Sequence, residues 1–467
     1  LPRRIIEHLR ADLRRIRTKD SFARNAFTIF SGNSLVLLSQ LVLTPSIARI
    51  YGPEVYGIYG LFSALVINLA SISDLGYSTA YVLPKDDREH LHLLRLNLFL
   101  LSVVTLVALV GALLREQVYQ LVPDWRPLGP LVLLLPLGLA GYGCIYFFTQ
   151  SLTRHKAFRT SVLLGTTTTV TTRAANLIYG LLSKGALMGM IIGEVAINAI
   201  SSVFYWVAMQ RYGIGALMRE WDWKALRAVA IAYRRYPLLT FPERWVAQLS
   251  GQLPIFLLIE DPEVVGWFAL STSLLAMPLR LLGYSLNNVY IQKAASTVES
   301  APEELGRLTR GLHLRLFWIG LPAFAVLTFF SDWVFAFIMG EAWRGAGVIT
   351  GFMGLFYLFR LTSEPISTLF YAQRKEHRLL GFQLGLGAAR LAAMGAALYA
   401  GLSAGHAILA FAMASAAGYL FLGHWLLRSA GQDANRLAWS MLAYTALVGA
   451  LMAAARWAIL GDPWPKF

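Results

Sequence analysis

Thirteen apolar stretches, nearly all long enough to cross a bilayer, follow one another along this 467-residue chain. They cover 26–48, 56–83, 96–114, 128–150, 161–182, 186–209, 237–259, 264–291, 316–330, 347–371, 379–400, 405–427 and 437–460. A hydrocarbon core roughly 30 Å thick takes about 20 apolar residues in a helix. No water is available there for backbone N–H and C=O groups, so each crossing must bond within itself. The expected fold is therefore an all-α polytopic membrane protein. Apolar residues make up 57% of the chain, which excludes an ordinary soluble domain. The single cysteine, Cys144, excludes a disulfide framework and a Cys-based metal site.

Charge sets the orientation. The chain carries a net charge of +15, and most of its 41 lysines and arginines fall in alternate connections. Those connections are assigned to the cytoplasm, together with the N-terminus. Residues 1–25 read as a basic amphipathic helix with Ile5, Leu9, Leu13 and Ile16 on one stripe. Such a helix suits an anionic leaflet, at about 1 kcal/mol per basic residue; nucleic acid is not an expected partner. Residues 210–236, with Trp221, Trp223, Tyr233, Arg234 and Arg235, read as an interfacial connector. The thirteenth span and tail occupy 428–467, and the odd span count leaves a place for a fourteenth helix.

A long-range repeat divides the rest. Pro53-Glu54-Val55, Gly57 and Leu61 recur as Pro262-Glu263-Val264, Gly266 and Leu270, a spacing of 209 between positions 53 and 262. Gly76-Tyr77-Ser78 recurs as Gly283-Tyr284-Ser285. The copies enter the membrane in the same direction, which predicts two six-helix bundles, 26–209 and 237–427, related by a pseudo-twofold axis along the membrane normal.

Charges inside the spans are the candidate site. The spans hold Arg173, Arg244, Arg280, Arg360, Arg390 and Arg456 and no lysine. Each costs several kcal/mol unless paired or hydrated, so such residues usually line a polar cavity. Guanidinium suits phosphate and keeps its charge. Arg173 and Arg390 lie at similar depths of corresponding spans, and with Arg280 they have no evident local partner. Arg360 has Glu364 one turn on, which offers an internal pair or a ligand contact. Arg244 is placed to reach cytoplasmic headgroups, and Arg456, beside Trp457, reads as an outer anchor. Asp74 occupies nearly the same place in the first repeat as Arg280 in the second, and the two are expected to pair in one conformation. Glu194 is a candidate carrier of a coupling proton, with Asp74 and Glu364 as further coupling or gating acids. Thr166 to Thr169, Thr171 and Thr172 fill the fifth span and suit interhelical bonds or a cavity lining. Histidines lack metal-ligand spacing; His155 and His377, in basic turns, read as solvated. No catalytic grouping or cofactor motif is present, so neither an enzyme nor a cofactor is expected.

The motifs carry a family likeness. Ala48-Arg49-Ile50-Tyr51-Gly52-Pro53-Glu54-Val55-Tyr56-Gly57, with Asp74-Leu75-Gly76 closing the next span, resembles the opening of Wzx-type oligosaccharide flippases. These belong to the multidrug/oligosaccharidyl-lipid/polysaccharide (MOP) exporter superfamily. Ser250-Gly251-Gln252-Leu253-Pro254, Pro262 to Leu270 and Pro278-Leu279-Arg280-Leu281-Leu282-Gly283 resemble the second half. The likeness implies two lobes in a V and alternating access. It also implies movement of an undecaprenyl-pyrophosphate-linked oligosaccharide, an O-antigen or exopolysaccharide unit, to the outer leaflet. Related lipid II flippases link arginines of the first, second and eighth helices to pyrophosphate. Arg280 fits the eighth-helix position, Ser71 falls near the second, and Arg24 flanks the first span at the cytoplasmic mouth. The expected partners are the lipid-linked oligosaccharide and anionic phospholipids, with polysaccharide polymerase and chain-length machinery as further candidates. The chain is expected to act as a monomer. The rivals are a multidrug exporter of the same superfamily and a membrane-embedded polysaccharide polymerase or ligase.

Overall fold

The computed structural model describes residues 22–215, 221–280, 284–298 and 300–465, and these are helical with no strand among them. Most of the basic N-terminal segment expected over 1–25, including the side chain of Arg24, lies outside the described residues. In order the main helices are α1 (Phe22–Asp74), α2 (Asp87–Leu113), α3 (Leu135–Arg154), α4 (Phe158–Leu182) and α5 (Leu187–Met209). After the short α6 (Trp223–Ala232) come α7 (Phe241–Gly251), α8 (Pro262–Pro278), α9 (Tyr284–Thr297) and α10 (Pro302–Met339). The chain finishes with α11 (Arg344–Ser363), α12 (Glu376–Tyr399), α13 (Ala404–Ser429) and α14 (Ala434–Leu460). Nine helices among the described residues are long and apolar enough to cross a membrane.

Departures from the expected spans occur where breakers override apolarity. The first two spans form one path, α1, bent at Gly52 (φ 71°), where Pro53 lacks the N–H to continue the helix. The second span stops at Asp74 rather than at 83, because Leu75 and Gly76 take positive φ. Pro123, Pro127 and Pro130 hold the start of the fourth in a 3-10 turn, so α3 begins only at Leu135. The seventh is broken at Gln252, ahead of Pro254, and the eighth ends its regular helix at Pro278. The ninth, placed over 316–330 with a continuation past Asp332 through Trp333 and Phe337 also expected, does run on through both, in a 38-residue helix that starts earlier, at Pro302.

Two helix groups result. In one, α1 packs on α3 and α4, and α3 and α4 on α5; in the other, α11 joins α8, α10 and α13, and α12 joins α7 and α13. The repeated motif forms the joint between them. A Cβ on Gly57 would lie 1.8 Å from the Pro262 carbonyl oxygen, and one on Gly266 1.8 Å from that of Pro53. Each would also lie 3.0 Å from the other glycine's nitrogen. The contact is isologous, which places the pseudo-twofold axis between the two glycines. Trp343 Nε1 donates to the Ala48 carbonyl at 3.0 Å and Arg49 to that of Phe337 at 3.2 Å, closing the same end.

Arg456 departs from its expected role. It is buried on α14 and grips both Asp332 carboxylate oxygens on α10, at 2.7 and 2.8 Å. The anchor is its neighbour Trp457, which is exposed.

Candidate functional site

The first lobe gathers polar groups around Arg173. Tyr59 on α1 donates its hydroxyl to Glu194 on α5. Arg173 on α4 lies within electrostatic reach of both, and of Tyr56. It is half-buried and makes no hydrogen bond or ion pair among the described residues. The Tyr56 hydroxyl and both side-chain polar atoms of Asn176 are buried without a protein partner. Arg173 and Glu194 were legible as membrane charges, whereas nothing in the sequence singled out Tyr59. Thr169 and Thr172 bond carbonyls one turn back in their own helix, at 2.9 Å each.

In the second lobe Arg390 is 2% exposed, so it does not line an open cavity in this structure. Its Nε donates to Ser415 and one terminal nitrogen to Ser250, both at 2.9 Å. The rings of Phe356 and Phe411 flank it, with centroids 5.4 and 5.1 Å away, a cation–π setting favoured by desolvation. Arg360 takes the internal option, pairing with Glu364 at 2.5 Å. Tyr371 donates to Glu243 at 3.1 Å. Arg280 is exposed and, among the described residues, without a hydrogen bond or ion pair.

The Asp74–Arg280 pair, expected in one conformation, is not formed in this one. Asp74 instead accepts from Ser78 N and Oγ, each at 2.9 Å, and from Asn97 Nδ2 at 3.2 Å. These three donors close the turn after α1. Glycine explains the tightness there: a Cβ on Gly76 would meet the Tyr236 carbonyl at 3.3 Å. His155 also departs from expectation. It stacks on Tyr212 at 4.3 Å rather than lying in solvent, and burial pushes its imidazole below the usual value.

The lobes are further bridged by polar side chains. Asn68 Nδ2 on α1 donates to Gln252 Oε1 at 2.6 Å. Gln248 on α7 donates to Asn68 Oδ1 and accepts from Ser71 Oγ, both at 3.3 Å. Arg244 donates to Thr79 at 3.2 Å, one helical turn before Gln248. Sequence reasoning missed this zipper. Its signal was paired spacing, Asn68 with Ser71 and Arg244 with Gln248. Among the described residues no group of acids, histidines and cysteines could hold a metal ion.

Comparisons with known proteins agree with the fold. The family described as "Polysaccharide biosynthesis protein" matches residues 46–347. No curated protein sequence gives a significant match. An inward-facing multidrug resistance MATE family transporter of the MOP superfamily superposes with a TM-score of 0.67 at 14% identity, over 87% of this chain and 98% of that one. The lipid II flippase MurJ, in an inward closed conformation, gives 0.67 at 12% identity, over 93% and 99%. A MOP superfamily transporter from Pyrococcus furiosus, described as having a binding pocket of reversed polarity, gives 0.61 at 14% identity, over 87% and 95%. The two-lobed helical fold is shared with these solved transporters.

Proposed function

The chain belongs to the polysaccharide biosynthesis protein family, and from that premise we propose that it is a flippase for undecaprenyl-pyrophosphate-linked oligosaccharide. The lipid would pass from the cytoplasmic to the periplasmic leaflet of a bacterial inner membrane by rocking of the two lobes. The observation that carries this reading is a pair of uncommitted guanidinium groups, Arg173 in the first lobe and Arg280 in the second. A membrane-embedded cation with no direct hydrogen bond or ion pair needs an anionic ligand or water. Pyrophosphate offers planar, multidentate acceptors that guanidinium matches. The prenyl tail would remain in lipid between the lobes. Arg24 at the cytoplasmic mouth and Arg244 beside the zipper would extend the basic path inward.

Glu194 is the coupling acid in this scheme, since its partner Tyr59 sits on the helix that joins the lobes. Asp74 and Glu364 hold local structure around the same path. Arg390 and Arg360 set the shape of the second lobe and act on substrate only through it. Rescue of a flippase-null strain tests the reading. Wild type should restore surface polysaccharide, and Arg280→Ala should insert normally yet leave the lipid-linked intermediate accumulated, as identified by mass spectrometry. A normal surface coat in that variant would refute the role of Arg280.

A further inference from the structure

The zipper between the lobes has the chemistry of a carbohydrate surface. Phe241, Trp245 and Gln248 recur along α7 at spacings of one helical stripe, and Gln252 follows at its C-terminal end. Phe241 and Trp245 stack with ring centroids 5.9 Å apart, which groups two aromatic rings at one end of the stripe. Trp245 Nε1 is buried without a partner, a donor the fold leaves unused. Next along the stripe, the Gln248 and Gln252 amides meet Asn68 of the opposite lobe. An amide offers two donors and an acceptor on one rigid plane, which complements neighbouring sugar hydroxyls without any charge. Aromatic faces next to such groups cover the apolar C–H face of a sugar ring.

Three features suit these bonds to exchange. Gln248 and Gln252 are only half-buried. Gln252 sits at the break after α7 (φ −105°, ψ 7°), followed by Pro254, so its side chain projects from a bend rather than a regular turn. Beside it, a Cβ on Gly251 would meet nothing within 4 Å. The cluster also lies off the duplicated pattern: 209 residues before Gln252 stands Leu43, and 209 after Asn68 stands Met277. A joint needed only to hold two similar lobes together is made symmetrically at Gly57 and Gly266; this one is not.

We propose that Trp245, Gln248 and Gln252, with Asn68 opposite, form the saccharide-recognition surface, and that the cross-lobe amide bonds stand in for sugar hydroxyls until cargo enters. The inference rests on the oligosaccharide-flippase reading and specifies which part of the cargo each group reads. Arginines take the pyrophosphate, and this stripe takes the sugars.

The test uses the full-length chain in lipid nanodiscs, with two probes: undecaprenyl-pyrophosphate-linked oligosaccharide and sugar-free undecaprenyl pyrophosphate. Wild type should bind the glycosylated lipid more tightly. A Gln248→Leu/Gln252→Leu double variant should lose about tenfold in affinity for the glycosylated lipid, the scale of two neutral hydrogen bonds, with binding of the sugar-free lipid unchanged. Equal loss for both probes, or no loss for the glycosylated one, overturns the proposal. If the leucine variant does not fold, Gln248→Asn/Gln252→Asn keeps the polarity while shortening the reach. It should show the same selective loss at smaller size, and a non-selective or absent loss again overturns the proposal. Wild type that binds both lipids equally overturns this inference and leaves the flippase reading standing. Wild type that binds neither lipid removes both.

Discussion

Arg173 and Arg390 occupy corresponding spans of the two duplicated halves, yet they have opposite surroundings. Arg390 is enclosed by Ser250, Ser415, Phe356 and Phe411, contributed by three other helices. Arg173 has only the electrostatic company of Tyr56, Tyr59 and Glu194, with no direct bond among the described residues. The difference teaches that depth in the bilayer does not decide what a guanidinium does; the residues on adjacent helices do. One lobe has spent its cation on packing, and the other has kept its cation available.

Substitutions separate the two kinds, and all can be read as unfolding free energies in detergent or lipid. Arg456, the extreme of the enclosed kind, should show the largest loss. Arg456→Ala strands Asp332 as a buried charge and should cost about 4 kcal/mol; a loss under about 1 kcal/mol would show that water reaches the pair. Arg390→Ala should follow at about 2–3 kcal/mol, mostly from the void left between two phenyl rings. The hydroxyls it releases keep their own backbone bonds, Ser415 to Phe411 and Ser250 to Ala247. Tyr59→Phe should cost about 1.5 kcal/mol through its bond to Glu194, and should shift the pH dependence of transport if Glu194 carries the proton. Arg173→Ala should change stability by less than about 0.5 kcal/mol while abolishing transport. An Arg173 variant as unstable as the Arg390 one, or one that still transports, breaks the comparison.

What could be read in advance follows the range of each interaction. Crossings were legible because lipid imposes one local rule on every segment, and the repeat because it keeps both glycines and prolines in order. The isolated charges Arg173, Glu194 and Arg390 stood out for the same reason. Partners were not legible. Arg456 and Asp332 lie 124 residues apart, and nothing local to either marks the other. Nor does the neighbourhood of Arg390 in sequence contain any of the side chains that enclose it. Asp74 looked like half of an inter-lobe pair, but a turn three residues long offered it donors sooner than a helix of the other lobe could. The break at Gln252 was hidden by apolarity, which continues across it, although Pro254 was visible.

The reciprocal seat of Gly57 and Gly266 constrains how the two halves can change. Each copy of the motif is the surface against which the other is fitted, so neither can drift alone. A side chain gained on one strikes the carbonyl of its twin's proline, and no distant compensation relieves a backbone collision. The meeting line is therefore the place where each half most directly limits what the other can become.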